Sequence, residues 1–362
     1  MSQKVAVILL NLGGPDSKNA IRPFLMNFFM DKNILTIPIP FRCILASLIA
    51  KKRTKREAGE SYAELGDKSP LLENSVKQAK ALDKVLKNSK TGNTYKSFIC
   101  MRYWHPMSPQ VVREVRSWGA DKIVILPLYP QFSTTTTWSS LQVWKKAIHQ
   151  AGMDKVETSM ICCYPENQGY VDTSVKHIAK EYKQAVKDGH ENPRVLFSAH
   201  GLPEKVIKKG DPYQSQCEAS AAKIADALSK SLKIENLDWQ ICYQSKVGPM
   251  KWIGPSTEEA IEKAAQDKKA IIIYPHAFTQ EHVETLVELD IEYKEYAEEK
   301  DQHGYYRAQT VGTDAAFING LAQLVYDHET RTDIAAEGFK SVCDKSFDKC
   351  CMRIGDLDMS KG

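Results

Sequence analysis

His200 closes the run Val195-Leu-Phe-Ser-Ala-His200 and is followed by Gly201-Leu-Pro and, ten residues on, by Gly210-Asp-Pro-Tyr213. Imidazole changes charge near neutral pH without help from its surroundings, so a histidine where a strand gives way to a loop can serve as a proton acceptor. A second candidate lies between His276 and Tyr293, where Glu281, Glu284 and Glu288 recur at i, i+3 and i+7 around His282. In a helix those three carboxylates share one stripe. Oxygen and imidazole donors together suit a divalent metal such as ferrous iron, and a row of weak sites can pass an ion inward or protons outward. Each feature also has a plainer role: a strand-end histidine bonded to backbone, or an acidic stripe on a solvated helix face. A third cluster is Cys343, Cys350 and Cys351. Three thiols so close together after the last expected helix cannot build a core, so they are either exposed or ligands. A [2Fe-2S] centre would need a fourth thiolate from elsewhere.

The elements that position these residues follow from periodicity. Continuous apolar runs at 5–11, 94–101, 122–128 and 157–163 read as buried parallel strands, with amphipathic helices at 69–88, 107–118 and 138–151 between them. After a helix at 168–187 a second series begins, with strands at 194–198, 239–243, 269–274 and 305–309. Its helices are expected at 214–230, 255–265, 281–289 and 313–328. Two such series predict an α/β protein of two Rossmann-like, doubly wound lobes with parallel sheets. Their boundary falls between 165 and 192, giving an N-terminal lobe at 1–170, a C-terminal lobe at 171–330 and an extension at 331–362. Ligands of such sheets sit beyond the carboxyl ends of the strands, where His200 stands.

Asn11-Leu12-Gly-Gly-Pro15 follows the first strand but lacks the third glycine of a dinucleotide loop and the Gly-Lys-Ser/Thr of a P-loop. Its two glycines let the backbone approach a flat ligand. Composition narrows the partners. With 362 residues, 43% of them apolar, two cores are affordable, and a formal net charge of +4 with no basic-aromatic block gives no reason to expect nucleic acid. Nine cysteines in a chain of this size without a secretory pattern point to a reducing, cytoplasmic setting with most thiols unpaired. No apolar stretch is long enough to span a bilayer, so membrane contact is expected to be peripheral. The segment 34–56 is the candidate: two prolines, Pro38 and Pro40, interrupt a continuous helix before Phe41, and residues 41–56 then run into Lys51, Lys52, Arg53, Lys55 and Arg56, as an interfacial helix with a basic end would.

Four stretches together resemble the ferrochelatases, which insert ferrous iron into protoporphyrin IX: Val5 to Pro15, Val195 to Pro203, Cys242 to Pro255 and His276 to Tyr293. The resemblance spans roughly 4–328 and implies two Rossmann-like halves around a porphyrin cleft, in a lyase that completes haem biosynthesis. It implies His200 as the acceptor of pyrrole protons with Glu284 as its partner, and His282, Glu281 and Glu288 as further stations for metal or protons. Glu281 stands where the family usually has Asp. Asn11, Leu12, Arg102, Tyr103 and Ser133 fall at porphyrin-lining positions, and Trp252 and Phe278 are candidates for the rigid walls that bend the macrocycle. The resemblance also implies a mobile apolar lip at 34–56 that touches the inner membrane. Some bacterial members carry a [2Fe-2S] cluster, for which Cys162 or Cys163 would join Cys343, Cys350 and Cys351. Homodimerisation stays open, as do a chelatase for coproporphyrin or another tetrapyrrole and a haem-binding protein without catalysis.

Overall fold

The protein is described here by a computed structural model covering residues 2–55 and 57–358. It divides into two compact units, one made of Met1–Cys163, Leu321–Ser341 and Cys351–Gly362, the other of Tyr164–Gly320 and Val342–Cys350. The segments 171–330 and 331–362 are thus each shared between units.

The first unit is built on β1 (Lys4–Asn11), β2 (Thr94–Met101), β3 (Lys122–Pro127), β4 (Glu157–Ile161) and a short β9 (Ile334–Ala335), in the order β2-β1-β3-β4-β9 with every pair parallel. Residues 5 to 10 of β1 are completely buried, as a strand covered on both faces must be, and each large side chain there contributes about 1.5–3 kcal/mol over an exposed one. Alternate residues Ala6, Ile8 and Leu10 join Phe98, Ile123 and Ile125 against Val111 and Val115 of the helix Ser108–Trp118. The same cluster takes in Leu141, Trp144 and Ile148 of the helix Ser139–Gln150.

The second unit repeats that plan. Its strands are β5 (Arg194–His200), β6 (Trp239–Gln244), β7 (Ile271–Pro275) and β8 (Tyr305–Arg307), all parallel in the order β6-β5-β7-β8. Each sheet therefore runs second, first, third, fourth, a doubly wound order, as the sequence predicts. The two-residue period of β5 sorts its side chains: Leu196 packs with Cys242, Ile273, Ala260 and Leu289, whereas Ala199 packs on the other side with Tyr213, Cys217, Tyr243 and Ile253. His200 shares the parity of Leu196 and Ser198. It therefore points to the face that carries Leu289 and the acidic segment.

That segment is not the helix expected at 281–289. A single α-turn, Val283–Leu286, runs into a π-helical turn, Glu288–Glu292, in which the Glu292 amide reaches back five residues to the Val287 carbonyl. The i, i+3, i+7 spacing matched an α-helix by periodicity alone, and Glu281 lies ahead of the turn. Wide π-turns of this kind are frequent at functional sites.

Candidate active site

His200 ends β5 directly beside Gln244, the last residue of β6. Its Nδ1 lies 3.0 Å from Glu284 Oε2, in a pair left about one-third exposed. At this distance the carboxylate stabilises the ring once it is protonated, the arrangement of a base paired with an acid. Gly201 is required immediately afterwards: its amide donates to the Gln244 carbonyl at 2.9 Å, and a Cβ there would meet that oxygen at 2.8 Å and the Trp252 ring at 3.2 Å. Trp252 is held by its indole N–H on the Val247 carbonyl at 3.1 Å and remains half-buried.

Glu288 sits behind this pair in a set of donors. The Ser198 hydroxyl donates to Gln244 Oε1 at 2.9 Å, which turns the Gln244 amide nitrogen toward the Glu284 carbonyl at 2.8 Å and Glu288 Oε2 at 3.0 Å. The Ser245 hydroxyl donates to the same carboxylate oxygen at 2.7 Å, and the Tyr293 hydroxyl to the other at 3.2 Å. Burial, and then the charge of Glu284, push the Glu288 carboxyl up to about 7 despite these donors. It can therefore take up or release a proton near neutral pH.

His282 has a structural task as well. Its Nδ1 accepts the Glu284 amide at 3.1 Å and its own amide donates to Thr285 Oγ1 at 3.0 Å, so it caps the turn that carries Glu284. Burial lowers its pKa against the opposing pull of Glu284 and Glu281. Phe278 meets its ring edge-on with centroids 4.9 Å apart and stays half-buried. Glu281 is engaged elsewhere, with Arg307 at 2.7 Å and the Thr310 amide at 2.8 Å. Burial alone would raise its pKa, but Arg307 and these donors bring it below the usual carboxylate range. His276, quoted above as part of the motif, is fully buried beneath the sheet end, bonded to Ser220 at 2.8 Å, and burial lowers it to about 4. It is a neutral packing residue and not a second base.

In the first unit, Asn11, Leu12, Arg102, Tyr103 and Ser133 gather beyond the carboxyl ends of β1, β2 and β3. The amides of Arg102 and Tyr103 donate to the carbonyls of Asn11 and Leu12, each at 2.9 Å. Gly13 is in the left-handed region, and a Cβ there would meet the Trp104 amide at 3.0 Å, so only glycine lets the two loops close on each other. Asn11 turns its amide to Ser75 at 3.2 Å, while Ser133 caps the π-helical turn Thr134–Trp138 by accepting the Thr135 amide at 3.1 Å. The organiser of this cluster is Asp31, a residue that sequence reasoning passed over. Its Oδ2 accepts from Arg102 at 2.9 Å, from the Tyr103 hydroxyl at 2.7 Å and from the Ser139 hydroxyl. Asp31 had no spacing or motif to announce it, and neither did Arg307. Gln244, Ser245 and Tyr293 lay inside the quoted motifs, but nothing in the sequence distinguished them from their neighbours.

The segment before the basic run forms the helix Ile39–Thr54, with Pro40 accommodated in its first turn. Phe41, Ile44, Leu45 and Leu48 repeat at i, i+3, i+4 and i+7, and with Ile39 are 39–68% exposed. Lys51, Lys52, Arg53 and Lys55 follow, while Arg56 lies outside the described residues. No helix among the described residues is long and apolar enough to cross a membrane.

The tail departs from expectation. Cys343, Cys350 and Cys351 are all buried, and Cys351 belongs with Cys162 and Cys163 to the core of the first unit, beside Ile334 and Met352. A short helix, Cys351–Ile354, and the pairing of β9 with β4 tuck this stretch in, which local periodicity does not reveal. Cys343 accepts the Gln216 side-chain amide at 3.1 Å and, like Cys350, belongs to the second unit. Thiol type and burial fit an iron–sulfur centre. Among the described residues, however, no three or more His, Cys, Asp or Glu side chains are grouped to hold a metal ion, in the tail or near His200.

Known proteins carry the same combination of elements. A family model described as Ferrochelatase matches residues 4–329. A ferrochelatase of Wolbachia sp. subsp. Drosophila simulans (strain wRi) is 50% identical over 321 residues, covering 89% of this chain and 98% of its own. A ferrochelatase of Caulobacter vibrioides (strain NA1000 / CB15N) is 47% identical over 358 residues, covering 98% and 99%. Among solved structures, SirB from Bacillus subtilis with Fe3+ has a TM-score of 0.50 at 14% identity, covering 90% of this chain and 95% of that one, a likeness of fold alone. With family similarity running from β1 through the helix Ala315–His328, and with it the strand-end histidine and the acidic turn, this chain belongs to the ferrochelatase family.

Proposed function

We propose that this protein inserts ferrous iron into protoporphyrin IX, the terminal step of haem biosynthesis, with His200 as the pyrrole proton acceptor. The observation that carries the assignment of the base is the His200–Glu284 pair at 3.0 Å. Two of the four porphyrin nitrogens carry protons, and their lone pairs point inward where a hydrated ion cannot reach. The ring must be bent, deprotonated and given a metal that has shed water. Trp252 and Phe278 supply rigid surfaces for the bent ring, and binding that form better than the flat one lowers the barrier. His200 takes a pyrrole proton, Glu284 stabilises the resulting imidazolium, and Glu288, held near 7, accepts or passes on a proton behind them. Iron is the substrate here, met by oxygen and imidazole donors that release it readily. Asn11, Leu12, Arg102, Tyr103 and Ser133 line the porphyrin in this reading, and Leu12 offers the metal no donor atom.

The assay is anaerobic absorbance spectroscopy of purified protein with ferrous iron and either protoporphyrin IX or coproporphyrin. Metallation of protoporphyrin at the higher kcat/KM is the expected result. A preference for coproporphyrin would reassign the substrate, and tight binding without metallation would reduce the protein to a porphyrin carrier.

Two finer parts of the reading have their own tests. The exposed stripe Phe41–Ile44–Leu45–Leu48 beside a basic run supports peripheral contact with an anionic inner-membrane surface, suited to a poorly soluble substrate. Glutamine at Lys51, Lys52, Arg53, Lys55 and Arg56 should weaken co-sedimentation with phosphatidylglycerol vesicles by about 1 kcal/mol for each residue near the surface. Unchanged sedimentation would end the proposal. The number and type of the thiols Cys343, Cys350 and Cys351, with Cys162 or Cys163, are those of a [2Fe-2S] centre, one that would take no part in the step at His200, although among the described residues no three of them are grouped in the structure. Anaerobically purified protein should then contain iron and acid-labile sulfide in equal amounts before any porphyrin is added, and Cys350→Ser should remove both. Protein free of both would exclude the cluster.

A further inference from the structure

The segment that presents Glu284 and Glu288 changes pitch along its length: the α-turn Val283–Leu286 passes into the π-turn Glu288–Glu292 and then into the helix Tyr293–Glu299, whose Tyr293 and Ala297 are buried with Leu289. The part ahead of Tyr293, which carries both carboxylates, has no continuous α-helical hydrogen-bond ladder of its own. Yet its two carboxylates must stay registered to His200 on one side and to Gln244 and Ser245 on the other.

One side chain grips the acidic stretch at Glu281 and at Asp290, on either side of the two carboxylates. Arg307 closes β8, anchored in the sheet through the pairing Ile273↔Arg307. Its Nη1 donates to Glu281 Oε1 at 2.7 Å, just ahead of the α-turn. Its Nε and Nη2 donate to Asp290 Oδ1 at 2.6 Å and Oδ2 at 2.7 Å, within the π-turn. The guanidinium side chain is 14% exposed, so water screens these bonds little. The Thr310 amide, at 2.8 Å from Glu281 Oε1, fixes the same end. A planar fork with donors on separate edges can bridge two carboxylates at once, which a lysine ammonium cannot do with the same geometry.

We infer that Arg307 is a positioning residue for the reaction, a clamp on either side of the two carboxylates that keeps Glu284 beside His200. Glu281 is one jaw of that clamp rather than a station for iron or protons. The inference rests on the proposed roles of His200 and Glu284. It reverses the role that spacing suggested for Glu281, because a carboxylate committed to an arginine and a backbone amide has little affinity left for a passing ion.

The test compares Arg307→Gln, Arg307→Lys, Glu281→Gln and Asp290→Asn in the full-length protein by hydrogen–deuterium exchange and steady-state kinetics. Amides of residues 284–292 should exchange at least about tenfold faster in Arg307→Gln, while β5 and β7 stay protected. Turnover should fall by about 10–100-fold, the cost of a displacement on the order of 1 Å, with protoporphyrin affinity from fluorescence quenching unchanged. Arg307→Lys should restore less than half of the lost turnover on a logarithmic scale. Glu281→Gln should loosen the same amides, and the double variant Arg307→Gln/Glu281→Gln should be no worse than Arg307→Gln alone. Lost turnover with unchanged exchange in Glu281→Gln would restore that residue to a station for iron or protons and overturn its place in the clamp. Unchanged exchange in Arg307→Gln would overturn the clamp itself. The exchange readout is independent of catalysis, so if His200→Ala proves fully active, it is the proposed base that fails and not the clamp.

Discussion

His200→Ala is expected to lower turnover by about a hundred- to ten-thousand-fold, the usual contribution of a positioned general base. Protoporphyrin affinity, read by fluorescence quenching, should change less than about threefold, because the lost proton transfer belongs to the transition state and not to binding. The geometry explains why the effect should be large. Nδ1 lies 3.0 Å from the Glu284 carboxylate, so the charge that appears on the ring when it takes a proton is met by an opposite charge already in place. Glu284→Gln keeps the volume and removes the charge that stabilises imidazolium, and it should fall almost as far. A loss smaller than about tenfold for His200→Ala would mean that solvent or another residue removes the pyrrole protons. Comparable losses in turnover and in porphyrin affinity would recast His200 as a binding residue.

Much of the frame that makes this pair was legible from residue patterns. The central strands β1, β3, β5 and β7 declared themselves as continuous apolar runs, since inner parallel strands are covered on both faces, whereas the edge strands β2, β6 and β8 are part-exposed. His200 could be placed at a strand's carboxyl end because Pro193 and Gly201 bound the run. What periodicity could not reveal was how neighbouring strands and turns meet. Gln244 acquires its role only because β6 lies in register beside β5, a pairing that no local pattern encodes. Arg307 lies 26 positions from Glu281 and was unremarkable until β8 took the sheet edge. The acidic stripe misled for a related reason: glutamates at i, i+3 and i+7 fit an α-helix, and a π-turn that widens after Leu286 leaves no signature in the spacing. The tail thiols misled because their burial is decided by distant elements, Cys351 by the core beside β9 and Cys343 by Gln216 of the second unit.

Asp31→Ala is the second large effect expected, and it acts on stability first. The carboxylate is 4% exposed and receives Arg102, the Tyr103 hydroxyl, the Ser139 hydroxyl and the Asn33 amide. Burial by itself would raise its pKa, but Arg102, Ser139, Asn33 and Tyr103 together bring it below the usual range, so it is ionised at working pH. Removing it leaves a guanidinium that is only 15% exposed without its counter-charge, together with a buried phenol and a buried hydroxyl that have lost an acceptor. Breaking one side of a buried ion pair costs about 3–5 kcal/mol, far more than the pair itself contributes relative to an apolar substitute. Asp31→Asn keeps an acceptor for the hydroxyls and should cost less. Asp31→Asn/Arg102→Met, which removes both charges, should be less destabilised than the sum of its single variants. Urea unfolding followed by circular dichroism measures all of these, and a cost below about 1 kcal/mol for Asp31→Ala would mean that water reaches Arg102 and compensates it. If the pair is as dry as its burial indicates, the purpose of Asp31 is orientation. It fixes the side chains that the proposed reading places on the porphyrin, and Asp31→Asn should lower kcat/KM for iron insertion at temperatures where the variant is still fully folded.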